Sequence, residues 1–380
     1  MALAFWLAAA MVIYAWVGYP ALIALLAFLR PAPTVRRDDA LPSVTVLVVA
    51  RDEEAHLEAK LSNLLALDYP REKLEVLVVS DGSTDRTEEI AAAFAGAGVL
   101  LLPLAPPRGK ASCLNEAVSR ARGEVLVLTD ARQALAPDAA RRLVACLADP
   151  SVGAVSGELH LLAGAGRATE GVGLYWRYEK LVRRAEGRFD STVGVTGALY
   201  ALRKELYSHL PLRAILDDVL VPMEVVLGGR RVVFEPEARA FDRVAESPAL
   251  EYRRKVRTLA GNFQLVALRP ALLDPFRNRL FFQFVSHKLA RLAVPWCLVV
   301  LLASGAGLTL AGDGAFYAAA FGAQAAFYLL ALAGWAGSRR GRASRLTALP
   351  YAVVLLNLAA ASGLVGFLRG TENATWKGGR

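Results

Sequence analysis

The sequence predicts an α/β protein: a doubly wound, mostly parallel sheet with helices on both faces, set between transmembrane helices at the two ends of the chain. Three observations carry this expectation. The 380 residues are 55% hydrophobic and only 21% charged, and the excess apolar content is gathered at the two ends. The middle alternates short β-branched runs with stretches of helical period, the pattern of a covered parallel sheet. Polar clusters follow one strand after another, where such sheets bind their ligands.

The first element is Ala2 to Leu29, apolar throughout with Pro20 as its strong breaker. It exceeds the roughly 20 residues that a hydrocarbon core requires. Residues 1–30 therefore read as a transmembrane helix. A cleaved signal peptide fits less well, because no basic region precedes the apolar run. Arg30, Arg36 and Arg37 follow it. The positive-inside rule then puts the N-terminus outside and the next domain, residues 40–265, in the cytosol.

Within that domain Val44 to Ala50 is a strand and Glu53 to Leu67 a helix. Leu74 to Ser80 is a second buried strand, and Asp85 to Phe94 a helix with Asp85 and Glu88 as a capping pair. Val99 to Leu102, the helix Ala111 to Ala121 and the strand Val125 to Thr129 follow. Pro137 opens another helix. The clusters at the strand ends are Arg51-Asp52-Glu53, Asp81-Gly82-Ser83 and Asp130-Ala131-Arg132.

Residues 276–292 mix Phe281, Phe282 and Phe284 with Arg279, His287, Lys288 and Arg291, and predict an amphipathic helix lying at the membrane interface. Residues 293–369 hold three further apolar runs, Ala293 to Ala311, Gly314 to Ala336 and Leu346 to Leu368. The basic loop Ser338 to Arg345 separates the last two. Three crossings would put the basic tail, residues 370–380, outside. Pro350 and Asn357 leave a re-entrant or tilted course open for the last run. Asn373-Ala374-Thr375 matches a glycosylation sequon, a pattern common by chance. No paired charges stand out in the apolar ends, so a pure transporter fits poorly.

The net charge of +9 is placed beside the apolar runs. It suits anionic headgroups and phosphorylated substrates, and no zinc-finger spacing or aromatic–basic RNA motif points to nucleic acid. Cys113, Cys146 and Cys297 are widely spaced and odd in number, so neither a disulfide frame nor a metal cluster follows.

The polar clusters form an ordered set. It runs Val46-Leu-Val-Val-Ala-Arg-Asp-Glu-Glu54, Val78-Val-Ser-Asp-Gly-Ser-Thr-Asp85, Arg108-Gly-Lys-Ala111 with Asn115, and Leu128-Thr-Asp-Ala-Arg132. Thr196-Gly-Ala-Leu-Tyr-Ala-Leu-Arg203, Asp217-Asp218 and Arg254-Lys-Val-Arg257 complete it. Each piece alone is weak. Over residues 40 to 265 the set resembles the family 2 glycosyltransferases, in particular the membrane-bound branch with cellulose, chitin, hyaluronan and poly-N-acetylglucosamine synthases.

The resemblance implies a GT-A-like fold that transfers a sugar, with inversion, from a nucleotide-sugar donor, expected to be a UDP-sugar. The acceptor is a lipid-linked or growing polysaccharide at the cytosolic face, and the setting a bacterial inner membrane. An export partner or a homo-oligomer fits the small number of crossings. Arg51, Glu53, Asp81 and Lys110 align with the nucleotide-binding positions. Glu53 reads equally as a helix-start acid, Asp81 as a turn residue and Lys110 as a solvated lysine. Asp130 aligns with the metal-binding acid of an Asp-x-Asp pair, which implies Mg²⁺ or Mn²⁺ as cofactor. Arg132 stands where the second acid is expected. Either other groups complete the metal site, or Arg132 meets the phosphates directly, or the chain binds nucleotide without transferring.

Asp218 aligns with the general base and Asp217 with the acid that orients it; helix capping is the simpler alternative for both. Arg254 and Arg257 occupy a Gln-x-x-Arg-Trp position that clamps the diphosphate in relatives, or else form a basic patch at the membrane boundary. Thr196 and Gly197, with Tyr175 and Trp176 in the segment 173–188, are expected on the acceptor side, although aromatic residues also anchor helices at interfaces. A polyprenyl-phosphate sugar synthase is the close rival, because a lipid phosphate needs no strong base.

Overall fold

The computed structural model describes residues 1–162, 169–243, 248–339 and 344–371, and leaves out the side chains of residues 169–176, 243, 248–251 and 345 as well. The chain opens with helix α1 (Ala2–Leu29). The sheet strands are β1 (Val44–Ala50), β2 (Leu74–Asp81), β3 (Val99–Leu104), β4 (Val125–Asp130), β5 (Ala134–Leu135), β6 (Val152–Leu162), β7 (Tyr200–Arg203) and β8 (Arg231–Arg243). The domain helices are α2 (Glu54–Leu65), α3 (Thr87–Ala93), α4 (Lys110–Arg120), α5 (Ala139–Cys146), α6 (Thr169–Phe189), α7 (Asp217–Leu227) and α8 (Pro248–Leu268). Three long helices close the chain: α9 (Phe281–Leu310), α10 (Ala315–Arg339) and α11 (Arg345–Arg369).

The eight strands form one sheet in the order β3-β2-β1-β4-β7-β6-β8-β5. β1, β2, β3 and β4 pair in parallel. Every residue of β1 is buried, as a β-branched run covered on both faces should be. Side chains alternate across the sheet. Leu47, Val49, Leu77 and Val79 join one core with α4 and α7, while Val46, Val48, Val76 and Val78 join another with α2 and α5.

The second half of the sheet adds antiparallel pairs to the mostly parallel set and makes the sheet a mixed one. β7 runs antiparallel to β4 and β6, and β5 antiparallel to β8, while β6 and β8 are parallel. The sequence showed neither β6 nor β8 clearly. β6 carries Gly153 and Gly157, where its register with β8 shifts, and β8 carries Pro236 among charged residues. Only the second half of the Thr196–Arg203 motif is strand, β7, because Thr196–Leu199 forms a turn closed by the Leu199 N–H on the Thr196 carbonyl at 3.1 Å. Pro137 lies just before α5 rather than inside it, with Asp138 at the N-cap.

α1, α9, α10 and the last helix are each long and apolar enough to cross a membrane. The expected interfacial helix over 276–292 is not a separate element: from Phe281 onward it is the start of α9, which runs unbroken to Leu310. One side of its start enters the domain, for Leu280 and Phe284 belong to the α4–α7 core. Its polar side meets α6. His287 donates to or accepts from Glu186 at 2.7 Å and Glu179 at 3.1 Å, and Arg291 donates to Glu179 at 2.9 Å. Tyr19 of α1 donates to Glu186 at 2.6 Å. The apolar ends thus do engage in paired charge, which the sequence hid because the partners lie about 100 residues away.

α11 is one continuous helix despite Pro350 in its early turns. Its C-terminal half packs along α8. Tyr252 and Ser362 share a hydrogen bond of 2.9 Å, and Phe263 and Phe367 stack at 6.2 Å. Gly363 permits the close approach: a Cβ there would stand 2.8 Å from the Ala260 backbone nitrogen. The tail from residue 372, with its sequon, lies outside the described residues.

Candidate active site

The loops after β1 and β2 are fastened to each other. Asp52 adopts a left-handed backbone, φ 53°, which aspartate tolerates better than most residues. Its Oδ1 accepts from the Thr84 N–H at 2.7 Å and the Thr84 hydroxyl at 3.1 Å. The Glu53 N–H donates to Thr87 Oγ1 at 2.8 Å, and the Glu54 N–H to Asp85 Oδ2 at 3.0 Å. The expected Asp85–Glu88 capping pair does not form. Asp85 is held in this tie between loops and accepts from the Thr87 N–H at 2.9 Å, while Glu88 accepts from the Ser80 hydroxyl at 2.7 Å.

Asp81 ends β2 fully buried. Its carboxylate accepts the Arg108 N–H at 2.6 Å and the Gly109 N–H at 3.0 Å. Both oxygens therefore serve the loop that leads into α4. Gly82 completes the turn with φ 64°, and a Cβ there would come within 2.8 Å of Pro107. The residue read from the sequence as a nucleotide contact is placed as the anchor of the Arg108–Lys110 loop.

That anchoring aims Lys110, the first residue of α4, into the gap between β4 and α7. Its Nζ lies 3.1 Å from Asp130 Oδ1 and 3.2 Å from Asp217 Oδ2. Burial alone would lower its pKa, but the carboxylates of Asp130, Asp217 and Asp218 outweigh it and hold the lysine above its usual value. Asp217 and Asp218 open α7, and the Asp218 carbonyl accepts the Val195 N–H at 2.8 Å. Gly197 sits between the two acidic elements. A Cβ on it would stand 3.7 Å from Asp218 Oδ2 and 3.8 Å from Asp130 Oδ2. The two carboxylates thus face one small space. Burial, then the Asp217 carboxylate, push the Asp218 pKa up to about 6, against the pull of Lys110.

Lys60 was missed by the sequence reading. It is 3% exposed and donates to Thr129 Oγ1 at 2.7 Å and the Gln133 carbonyl at 2.6 Å. Thr129 passes a hydrogen bond to the Ala198 carbonyl at 2.7 Å. Lys60 therefore supports the loop of Asp130 and the turn of Gly197 together. Burial pushes its pKa down to about 7, against the pull of Asp130. The available signal was a lysine inside the apolar stripe of Leu57, Leu61 and Leu64.

On the nucleotide side, burial raises the Glu53 pKa, Arg132 and then Arg254 pull it down, and Asp130 adds to the rise. Glu53, Arg132, Arg254 and Asp130 therefore share one electrostatic neighbourhood, although they come from three separate segments. Arg51 stands beside them with Nε 4.0 Å from Asp52. Arg257 lies one turn beyond Arg254 on α8, its Nε buried without a hydrogen-bond partner among the described residues. On the other side Thr196, 7% exposed, donates its N–H to Ser156 Oγ at 3.1 Å. It lines a cleft with Glu179, Lys180 and Arg183 of α6. Tyr175 and Trp176 belong to the same helix, but their side chains lie outside the described residues.

No group of three His, Cys, Asp or Glu side chains among the described residues forms a cation site. A Mg²⁺ or Mn²⁺ held with a nucleotide diphosphate needs only one or two carboxylates, since phosphate oxygens and water complete its shell. Asp130 meets that requirement. Lys110 engages Oδ1, Oδ2 faces the Gly197 side, and the side chain is 35% exposed. Arg132 is exposed and offers no ligand. The residues fit a metal that arrives with a diphosphate, with Asp130 as its protein ligand.

Comparison with known proteins agrees with this geometry. A probable glycosyltransferase, YdaM, of Bacillus subtilis (strain 168) is 27% identical over 244 residues, covering 60% of this chain and 57% of the relative. Poly-beta-1,6-N-acetyl-D-glucosamine synthase of Staphylococcus aureus (strain COL) is 25% identical over 277 residues, covering 70% of this chain and 65% of the relative. The matched stretch thus spans less than two thirds of both curated relatives. Among solved structures, the mannosyltransferase PcManGT from Pyrobaculum calidifontis, in complex with GDP-Man and Mn²⁺, superposes with a TM-score of 0.73. It is 26% identical, and the match covers 97% of this chain and all of that one. The family model described as "Glycosyltransferase like family 2" matches residues 42–261, the stretch that carries β1 to β8 and the acids above, and so this chain belongs to that family, with a GT-A-like α/β fold.

Proposed function

We propose that the protein transfers a sugar, with inversion, from a nucleotide-sugar donor to a lipid-linked or polysaccharide acceptor at the cytosolic face of a bacterial inner membrane. The observation that carries this is the facing of Asp218 and Asp130 across Gly197, with Lys110 between Asp130 and Asp217. An acceptor hydroxyl attacks the anomeric carbon as the bond from that carbon to the donor phosphate oxygen breaks. Asp218 takes the hydroxyl proton, and the nucleoside diphosphate leaves. A carboxylate with a pKa near 6 is ionised at neutral pH, yet basic enough to receive that proton.

Asp130 holds the divalent metal, which when bound neutralises charge on the leaving diphosphate. Lys110 orients Asp217 and Asp130 around that charge. Arg254 and Arg257 clamp the diphosphate from α8, Arg51 and Glu53 receive the nucleoside, and Asp81 fixes the loop that carries Lys110. Thr196, Gly197, Tyr175 and Trp176 border the acceptor. The test is a donor screen of the purified full chain, with and without Mg²⁺ or Mn²⁺. UDP-sugars are the first arm and GDP-mannose, the ligand of the mannosyltransferase structure, the second. Asp218→Asn is expected to abolish transfer while nucleotide affinity persists. Normal turnover by that variant would falsify the base assignment.

A further inference from the structure

The polar junction between α6 and α9 is more elaborate than a membrane anchor requires. α9 contains one widened π turn, Val285–Leu289, and such turns recur at functional sites. It faces a second π turn in α1, Tyr14–Gly18, through a hydrogen bond of 2.6 Å between Tyr14 and Ser286. The widened turn carries Ser286, His287 and Lys288 into the domain.

Most groups here are satisfied. Glu179 and Glu186 take His287 and Arg291 as described. Glu158 takes Lys180 at 2.7 Å and Arg184 at 2.8 Å. Two cations remain under-used. Arg183 touches Glu179 through Nε at 3.5 Å, and its terminal nitrogens find no hydrogen-bond partner among the described residues. Lys288, half-buried, makes neither a hydrogen bond nor an ion pair within that set. The three carboxylates Glu158, Glu179 and Glu186 are outnumbered by Lys180, Arg183, Arg184, Lys288 and Arg291, so the junction is cationic even with His287 neutral.

This surplus borders the site. Arg183, Lys180 and Thr196 line one narrow cleft, and the residue after Thr196 is the glycine that faces Asp218. The charges of Lys288 and Arg183 both act on Asp218. The Arg183 terminal nitrogens and the Lys288 ammonium make no hydrogen bond among the described residues, and two such cations suit a phosphate oxygen. Lys288 stands in the first turns of a helix long and apolar enough to span a bilayer, a depth suited to a headgroup phosphate.

We propose that Arg183 and Lys288 form a subsite for a phosphate borne by a lipid acceptor, placed beside Asp218 between α6 and α9. The inference rests on the transferase reading for its meaning, but binding is measured without donor or turnover. The full chain in detergent micelles is titrated with radiolabelled farnesyl phosphate, with farnesol and inorganic phosphate as competitors. Farnesyl phosphate is expected to bind about ten-fold more tightly than farnesol, and Lys288→Gln with Arg183→Gln to lose about ten-fold. Lys288→Arg, which keeps the charge, is expected to retain binding. Equal affinity for farnesol, unchanged binding in the double variant, or a loss in Lys288→Arg as large as in Lys288→Gln would each overturn the subsite. Displacement by equimolar inorganic phosphate would overturn its assignment to a lipid. Failure of glycosyl transfer in the donor screen would leave this measurement standing, so the two failures are distinguishable.

Discussion

Lys110 Nζ lies 3.1 Å from Asp130 Oδ1, and this contact joins the donor side of the site to the base side, because the same ammonium reaches Asp217. Lys110→Met would leave Asp130, Asp217 and Asp218 facing each other without a counter-charge. The expected result is a fall in kcat of about 10²-fold, with the acid limb of the pH–rate profile moved upward as Asp218 becomes harder to ionise. Steady-state kinetics from pH 5 to 8 check both parts.

The pH dependence of the native enzyme follows from Asp218. Its carboxyl is raised to about 6 by burial and by Asp217, so kcat/KM is expected to fall as pH drops through that value. Stability moves the other way. A carboxyl whose folded pKa exceeds its unfolded value stabilises the fold when protonated, and that contribution is lost as pH rises through about 6. Asp218→Asn should therefore raise Tm at pH 8 while abolishing transfer. Thermal denaturation at pH 5 and pH 8 measures the difference, and a Tm gain as large at pH 5 would contradict it.

Lys60→Met removes the donor that joins Thr129 to Gln133. A buried carbonyl left unpaired costs roughly 1–3 kcal/mol, so the variant is expected to be less stable. It should also transfer more slowly, because Asp130 and the Gly197 turn lose a common support. Urea unfolding and kcat report the two effects separately.

Asp130 is the carboxylate proposed to hold the metal beside the donor, so EDTA should stop transfer and Mn²⁺ restore it. Arg132→Asp offers a second carboxylate and is expected to lower the Mn²⁺ concentration giving half-maximal rate. The same substitution removes a positive charge near Glu53, so nucleotide affinity measured without metal should fall. An unchanged Mn²⁺ midpoint would place Arg132 away from the metal.

The parts of this molecule legible in the sequence are those encoded locally. β1 to β4 announce themselves as short apolar runs, and the acids after β1, β2 and β4 arrive in an order that the fold gathers at one edge. β6 and β8 escaped because glycine, proline and charge interrupt their apolar pattern. Lys60 escaped because its place in the apolar stripe of α2 signals burial but not its partners, Thr129 and Gln133, which lie far along the chain. His287 and Arg291 were read as headgroup contacts because Glu179 and Glu186, which neutralise them, sit on a helix about a hundred residues earlier. Asp81 shows the converse: its position in the motif was evident, but its exposure, which decides what it touches, is a property of the folded chain.

Gly363 of α11 lies against Ala260 of α8, and Leu272, Leu280 and Phe284 continue the domain core past the last strand. The aqueous half of this enzyme therefore has no clean seam. A fragment ending at residue 265 would bare the side of α8 that carries Phe263 and open the core beneath α7, so excision would yield an aggregating piece instead of a working catalyst. A displacement of α11 would reach the arginines of α8 through the same glycine contact, so turnover is expected to change with the thickness of a bilayer that holds α11.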